Sequence, residues 1–127
     1  MTENLMENLN KEQLAAVTHK EGPVLIVAGA GTGKTCVITQ RIAYIIEQNW
    51  AKPEEILALT FTEKAAGEME ERVDRLLPMG YLDLWISTFH SFGERILKEH
   101  GTEIGIPADA KLLNEFEQWG FNKKEFR

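Results

Sequence analysis

Residues 28–35, which read AGAGTGKT, have the types and spacing to hold a nucleoside triphosphate. They follow the apolar run Val24-Leu25-Ile26-Val27 and lead into Cys36-Val37-Ile38-Thr39, the context of a turn between a strand and a helix. Glycines at 29, 31 and 33 let successive backbone N–H groups turn towards one anion. The positive end of the following helix points at the same place. Ala28, Gly29, Ala30, Gly31, Thr32 and Gly33 would form the phosphate cradle, and Lys34 supplies a full cation for the β- and γ-phosphates. The Thr35 hydroxyl can ligate Mg²⁺ carried by the nucleotide. Lys34 and Thr35 are thus the candidate catalytic pair. The general pattern has glycine where this chain has Ala28.

These side chains need a scaffold, and the pattern predicts strand, loop and helix three times over. A strand at 24–28 precedes a helix at 34–48, with Ile38, Ile42, Ile45 and Ile46 on one face. A strand at 56–61 precedes a helix at 63–77, stopped by Pro78 and Gly80. A strand at 84–88 precedes a helix at 91–100, stopped by Gly101. Such alternation implies an α/β fold, a parallel sheet flanked by helices, with ligands at the carboxyl ends of the strands. All three strand ends carry polar or aromatic residues: the glycine-rich turn, Thr60-Phe61-Thr62, and Thr88-Phe89-His90-Ser91. Upstream, 10–19 reads as a short helix. Downstream, Pro107 marks a turn and Asn114-Glu115-Phe116-Glu117 resembles a capping box. The helix it would open carries Phe116, Trp119, Phe121 and Phe126, more apolar surface than a terminal tail needs.

Composition sets outer bounds. At 127 residues, 43% apolar and 27% charged, the chain matches an ordinary globular domain with a real core. No apolar run approaches the ~20 residues of a membrane span, so no membrane partner is expected. The single Cys36 excludes an internal disulfide and suits a reducing cytoplasm; it is either a reactive group or a covered bystander. A net charge of −6 does not by itself favour nucleic acid, yet Lys64, Arg72 and Arg75 leave room for a basic groove.

Four segments stand in order: Leu9-Asn10-x-x-Gln13, AGAGTGKT, Leu59-Thr60-Phe61-Thr62-Glu63-Lys64-Ala65-Ala66, and Ser87-Thr88-Phe89-His90-Ser91-Phe92. As a set they resemble the amino-terminal part of the UvrD/Rep/PcrA helicases of superfamily 1. The resemblance implies a P-loop, RecA-like sheet, incomplete because the Walker B strand is absent. Residues 1–103 would be part of the first motor domain, with the Q motif, Walker A and motifs Ia and Ib, and 104–127 the start of an inserted helical subdomain.

The resemblance further implies ATP and Mg²⁺ as cofactors. Gln13 would read the adenine edge, for which an amide offers a donor and an acceptor; alternatively, Asn10 and Gln13 form a helix-capping box. Thr60, Thr62 and Lys64 would meet DNA phosphates. Phe61 would stack on a single-stranded base, or else serve as a core aromatic. Thr88, Phe89, His90 and Ser91 would grip the DNA backbone, with His90 alternatively structural. Two departures stand out: Glu63, where relatives commonly have asparagine, and Cys36, where many have arginine.

Hydrolysis needs an acidic pair to hold Mg²⁺ and place the attacking water. No apolar run here ends in Asp-Glu. The resemblance therefore implies an ATP-dependent helicase or translocase on single-stranded DNA or a single/double-strand junction, with this part alone unable to hydrolyse ATP. An inert nucleotide- or DNA-binding module and the front of a RecB/AddA-like helicase–nuclease subunit are the alternatives. A small P-loop kinase would need an arginine-rich lid, which the stretch after Gly101 lacks. Without the carboxyl-terminal motor domain as partner, self-association through an uncovered sheet edge is expected.

Overall fold

Asn10 starts the first helix by a reciprocal capping box: its side chain accepts from the Gln13 N–H, and the Gln13 side chain accepts from the Asn10 N–H. The computed structural model describes residues 6–77, 83–113 and 117–120. The chain divides into two units between Thr88 and Phe89.

In the first unit, α1 (Lys11–Thr18) is followed by α2 (Lys34–Glu47), β1 (Leu57–Thr60), α3 (Glu63–Leu76) and β2 (Trp85–Thr88). The two strands pair in parallel, with Leu57 opposite Trp85 and Thr60 opposite Thr88. Parallel neighbours need a crossover, and α3 supplies it. Thr62 caps α3 by accepting from the Ala65 N–H at 3.1 Å. The main core joins Ile42, Ala43 and Ile46 of α2 to Met69, Val73 and Leu77 at and after α3, with Ala58 and Ile86 of the strands packed against it. A smaller cluster, Ala16 and Val17 against Val37, attaches α1 to α2. Ile38, expected on the buried face of α2, is 40% exposed, and Val37 takes the inward position.

One expected element is missing. No strand forms at 24–28, so a strand followed by a helix occurs at the second and third places and not at the first, and at the third the helix follows the strand with no loop between. Exposure still alternates along the run: Val24 44%, Leu25 87%, Ile26 39%, Val27 88%. The alternating side chains are a local property, whereas a strand also needs a neighbour for its N–H and C=O groups. Among the described residues no strand pairs with this run. What remains is a small parallel two-stranded sheet flanked by helices, an α/β arrangement compatible with part of a RecA-like fold.

In the second unit, α4 (Phe89–His100) starts two residues earlier than the pattern suggests and gives way to a 3-10 turn at Gly101–Ile104. A Cβ on Gly101 would lie 3.2 Å from that of Ile106, whose N–H donates to the Gly101 carbonyl, so a side chain there would crowd the turn. Pro78, Gly80, Phe116, Phe121, Phe126 and most of the expected capping box at 114–117 lie outside the described residues. Among those described, no helix is long and apolar enough to cross a membrane.

Candidate functional site

The glycine-rich turn is built by two positions of left-handed backbone, Gly31 at φ +77° and Gly33 at φ +83°. Gly29 does not need positive φ, contrary to the expectation that all three glycines act alike. Thr32 closes the loop, its hydroxyl donating to the Gly29 carbonyl at 2.6 Å. Gly33 is the N-cap of α2 and brings no capping side chain, so the first N–H groups of that helix have no intrahelical acceptor. That is the electrostatic setting an anion prefers.

Lys34 folds back over the turn, its Nζ donating to the Ala28 carbonyl at 3.2 Å. The contact is exposed and replaceable by a phosphate oxygen. Thr39, 1% exposed, donates to the carbonyls of Thr35 and Cys36 and stiffens the first turn of α2 from within. Among the described residues no cluster of three His, Cys, Asp or Glu side chains is arranged to hold a metal.

Gln13 forms the expected capping box with Asn10. Its Oε1 accepts from the Asn10 N–H at 2.9 Å, and its Nε2 donates to the Thr32 carbonyl at 3.2 Å. A carboxamide has two N–H donors and two lone pairs. One of each remains, the combination an adenine edge requires. Gln13, Ala28, Thr32 and Lys34 line one cleft of about 160 Å³, with Ala16 and Val37 in its wall.

The ends of β1 and β2 place the other candidates. Phe61 is 89% exposed, which removes it from the core of this chain. The Thr60 hydroxyl donates to the Thr62 carbonyl at 3.0 Å, and Thr62 caps α3, so both are engaged with local backbone. Lys64 is exposed and lies 3.9 Å from Glu68, a pairing worth little in water. Thr88 is 5% exposed and its hydroxyl donates to Glu63 at 2.9 Å. In the second unit, Phe89 is 51% exposed at the start of α4, His90 is exposed and Ser91 half-buried.

Arg41 is the residue that reading the sequence missed. Its Nη1 donates to the carbonyls of Ala16, Val17 and His19 at 2.8, 3.2 and 2.7 Å. The one local hint was that α1 has no basic residue in its last turn. A second cleft, of about 70 Å³ between Leu97, Ile106 and Leu112, carries none of the motif residues.

The pattern of the UvrD/REP helicase N-terminal domain matches residues 9–126. The chain belongs to the UvrD/Rep helicase family. It is 47% identical over 118 residues to the ATP-dependent DNA helicase PcrA of Bacillus subtilis, covering 93% of this chain and 16% of that protein. The PcrA of Staphylococcus epidermidis is 46% identical over 114 residues, 90% of this chain and 16% of the relative. A probable DNA helicase of Mycoplasma pneumoniae is 47% identical over 115 residues, 88% of this chain and 22% of the relative. This UvrD/Rep domain thus spans about a sixth to a fifth of the length of these relatives. Within it, Cys36 is half-buried, and its Cβ would lie 3.9 Å from a Cβ placed on Gly33.

Proposed function

We propose that this chain is the front part of the first motor domain of an ATP-dependent DNA helicase or translocase acting on single-stranded DNA. The observation that carries the reading is the convergence of Gln13, Thr32 and Lys34 on one cleft beside an uncapped helix N-terminus. In this reading residues 28–35 wrap the phosphates of ATP and Lys34 neutralises their charge. Gln13 meets the base, and the Thr35 hydroxyl holds Mg²⁺, which would screen the phosphates when bound. Thr60, Phe61, Thr62 and Lys64, with Thr88, Phe89, His90 and Ser91, belong to the DNA-contacting segments. Phe61 stacks on a base, and the buried Thr88 acts through Glu63.

The reading places the acidic pair for water activation and the second motor domain in other parts of the parent protein, with 1–103 and 104–127 as portions of its first motor domain and inserted subdomain. A cytoplasmic setting goes with it. Closure of two motor domains over ATP would shift bases past exposed aromatics such as Phe61. With no Asp-Glu after an apolar run, this chain by itself binds nucleotide without turning it over.

The test is DNA-stimulated ATP hydrolysis by the full-length parent, compared with its Lys34→Ala variant. Loss of about 100-fold or more in turnover is expected, the size seen when one charge-stabilising donor is removed. Unchanged turnover in the variant would overturn the assignment of Lys34. For the 127-residue chain, ATP binding without hydrolysis is expected. Failure to bind would leave a DNA-binding module as the better description.

A further inference from the structure

The geometry points to Arg41 as a positioning residue that sets the base preference of the nucleotide cleft by holding α1 in place. The inference rests on the nucleotide reading above and adds to it a residue outside the glycine-rich turn. α1 has only eight residues, too few to be stable by itself in water. Its amino end is closed by the Asn10–Gln13 capping box. Its carboxyl end has no such closure: the cap residue His19 is at φ −59°, ψ 121°, not left-handed, and the last turn holds no basic residue. The carbonyls left over at that end accept from Arg41 instead, a cation arriving from α2 where the helix dipole is negative.

Lys34, Val37 and Arg41 follow the spacing that keeps residues on one face of a helix. Lys34 faces the turn, Val37 is buried against Ala16 and Val17, and Arg41 binds the end of α1 about two helical turns further along. Gln13 then returns from α1 to the Thr32 carbonyl. The chain of contacts closes on itself: turn, α2, Arg41, α1, Gln13, turn. Every atom that would meet phosphate belongs to the turn or to the start of α2, whereas the amide that would meet the base is carried by α1. Loosening α1 therefore disturbs base recognition and spares phosphate binding.

The experiment measures equilibrium binding of ATP, GTP and inorganic tripolyphosphate to the 127-residue chain and its variants. Arg41→Ala should lower the ATP:GTP affinity ratio by about five- to tenfold, the effect of losing one well-placed hydrogen bond. Tripolyphosphate affinity should stay within about twofold, an interval that separates it from the loss of a whole hydrogen bond. Gln13→Ala should lower the ratio similarly, and the double variant should fall no further, because both act through one amide. Arg41→Lys, which keeps the charge, should retain part of the ratio, and it decides the matter if the alanine variant does not fold by circular dichroism. A folded Arg41 variant with the wild-type ratio, beside a Gln13→Ala that lowers it, overturns the role of Arg41 alone. A parallel fall in ATP and tripolyphosphate affinity makes Arg41 merely structural and overturns it too. If neither Gln13→Ala nor Arg41→Ala changes the ratio, the base-reading role of Gln13 fails and the inference falls with it.

Discussion

The hydroxyl of Thr88 donates to a carboxylate oxygen of Glu63 at 2.9 Å, tying the end of β2 to the first turn of α3. Thr60 and Thr88 are register partners, so the tie spans the carboxyl edge of both strands. Glu63 also sits where a negative charge complements the helix dipole. Glu63 therefore has an intramolecular task.

This tie should be measurable. Thr88→Val is expected to destabilise the chain by about 1.5–3 kcal/mol, the range for a hydrogen bond to a charged group. Glu63→Gln, which keeps an acceptor, should cost less than Glu63→Ala. In urea denaturation, the losses for Glu63→Ala and Thr88→Val should not add when combined. Full additivity would mean that the two side chains are energetically independent.

Among the described residues, Lys34 makes one exposed contact, with the Ala28 carbonyl. Lys34→Ala should accordingly leave the thermal midpoint of the chain almost unchanged, within about 0.5 kcal/mol. Its affinity for ATP should nevertheless drop at least about tenfold, since the removed group is a full charge facing a polyanion. A variant that binds ATP as well as the parent chain would remove Lys34 from the phosphate site.

Phe61 is almost fully exposed, so Phe61→Ala should not weaken folding. Under the stacking role its loss should reduce affinity of the full-length parent for single-stranded DNA by about 1–3 kcal/mol, with ATP affinity untouched in the absence of DNA. Equal DNA affinity in filter binding or fluorescence anisotropy would exclude stacking by this ring.

The run Val24–Val27 lacks charge and proline, is rich in β-branched residues, and exposes Leu25 and Val27 almost entirely. Such a segment tends to pair with another chain. Sedimentation velocity should show concentration-dependent association of the 127-residue chain, abolished by Leu25→Lys with Val27→Lys at little cost in folding stability. A wild-type chain that stays monomeric throughout would contradict the expectation.

Much was legible in the residues alone because the signals are local. A helix needs hydrogen bonds only to its own residues, so α1, α2 and α3 fall within a residue or two of the bounds expected at 10–19, 34–48 and 63–77. The glycine-rich turn was readable for the same reason: Gly31 and Gly33 answer to backbone sterics within a few residues. Tertiary structure decided whatever depends on a distant partner. Residues 24–28 have a strand's alternation but no strand, because pairing requires a neighbour that alternation cannot supply. Only packing brought Thr88 to Glu63, and only the docking of α1 on α2 gave Arg41 three carbonyls to hold. Carbonyls at a helix end accept whichever donor the fold delivers, and nothing in a residue's own neighbourhood names that donor.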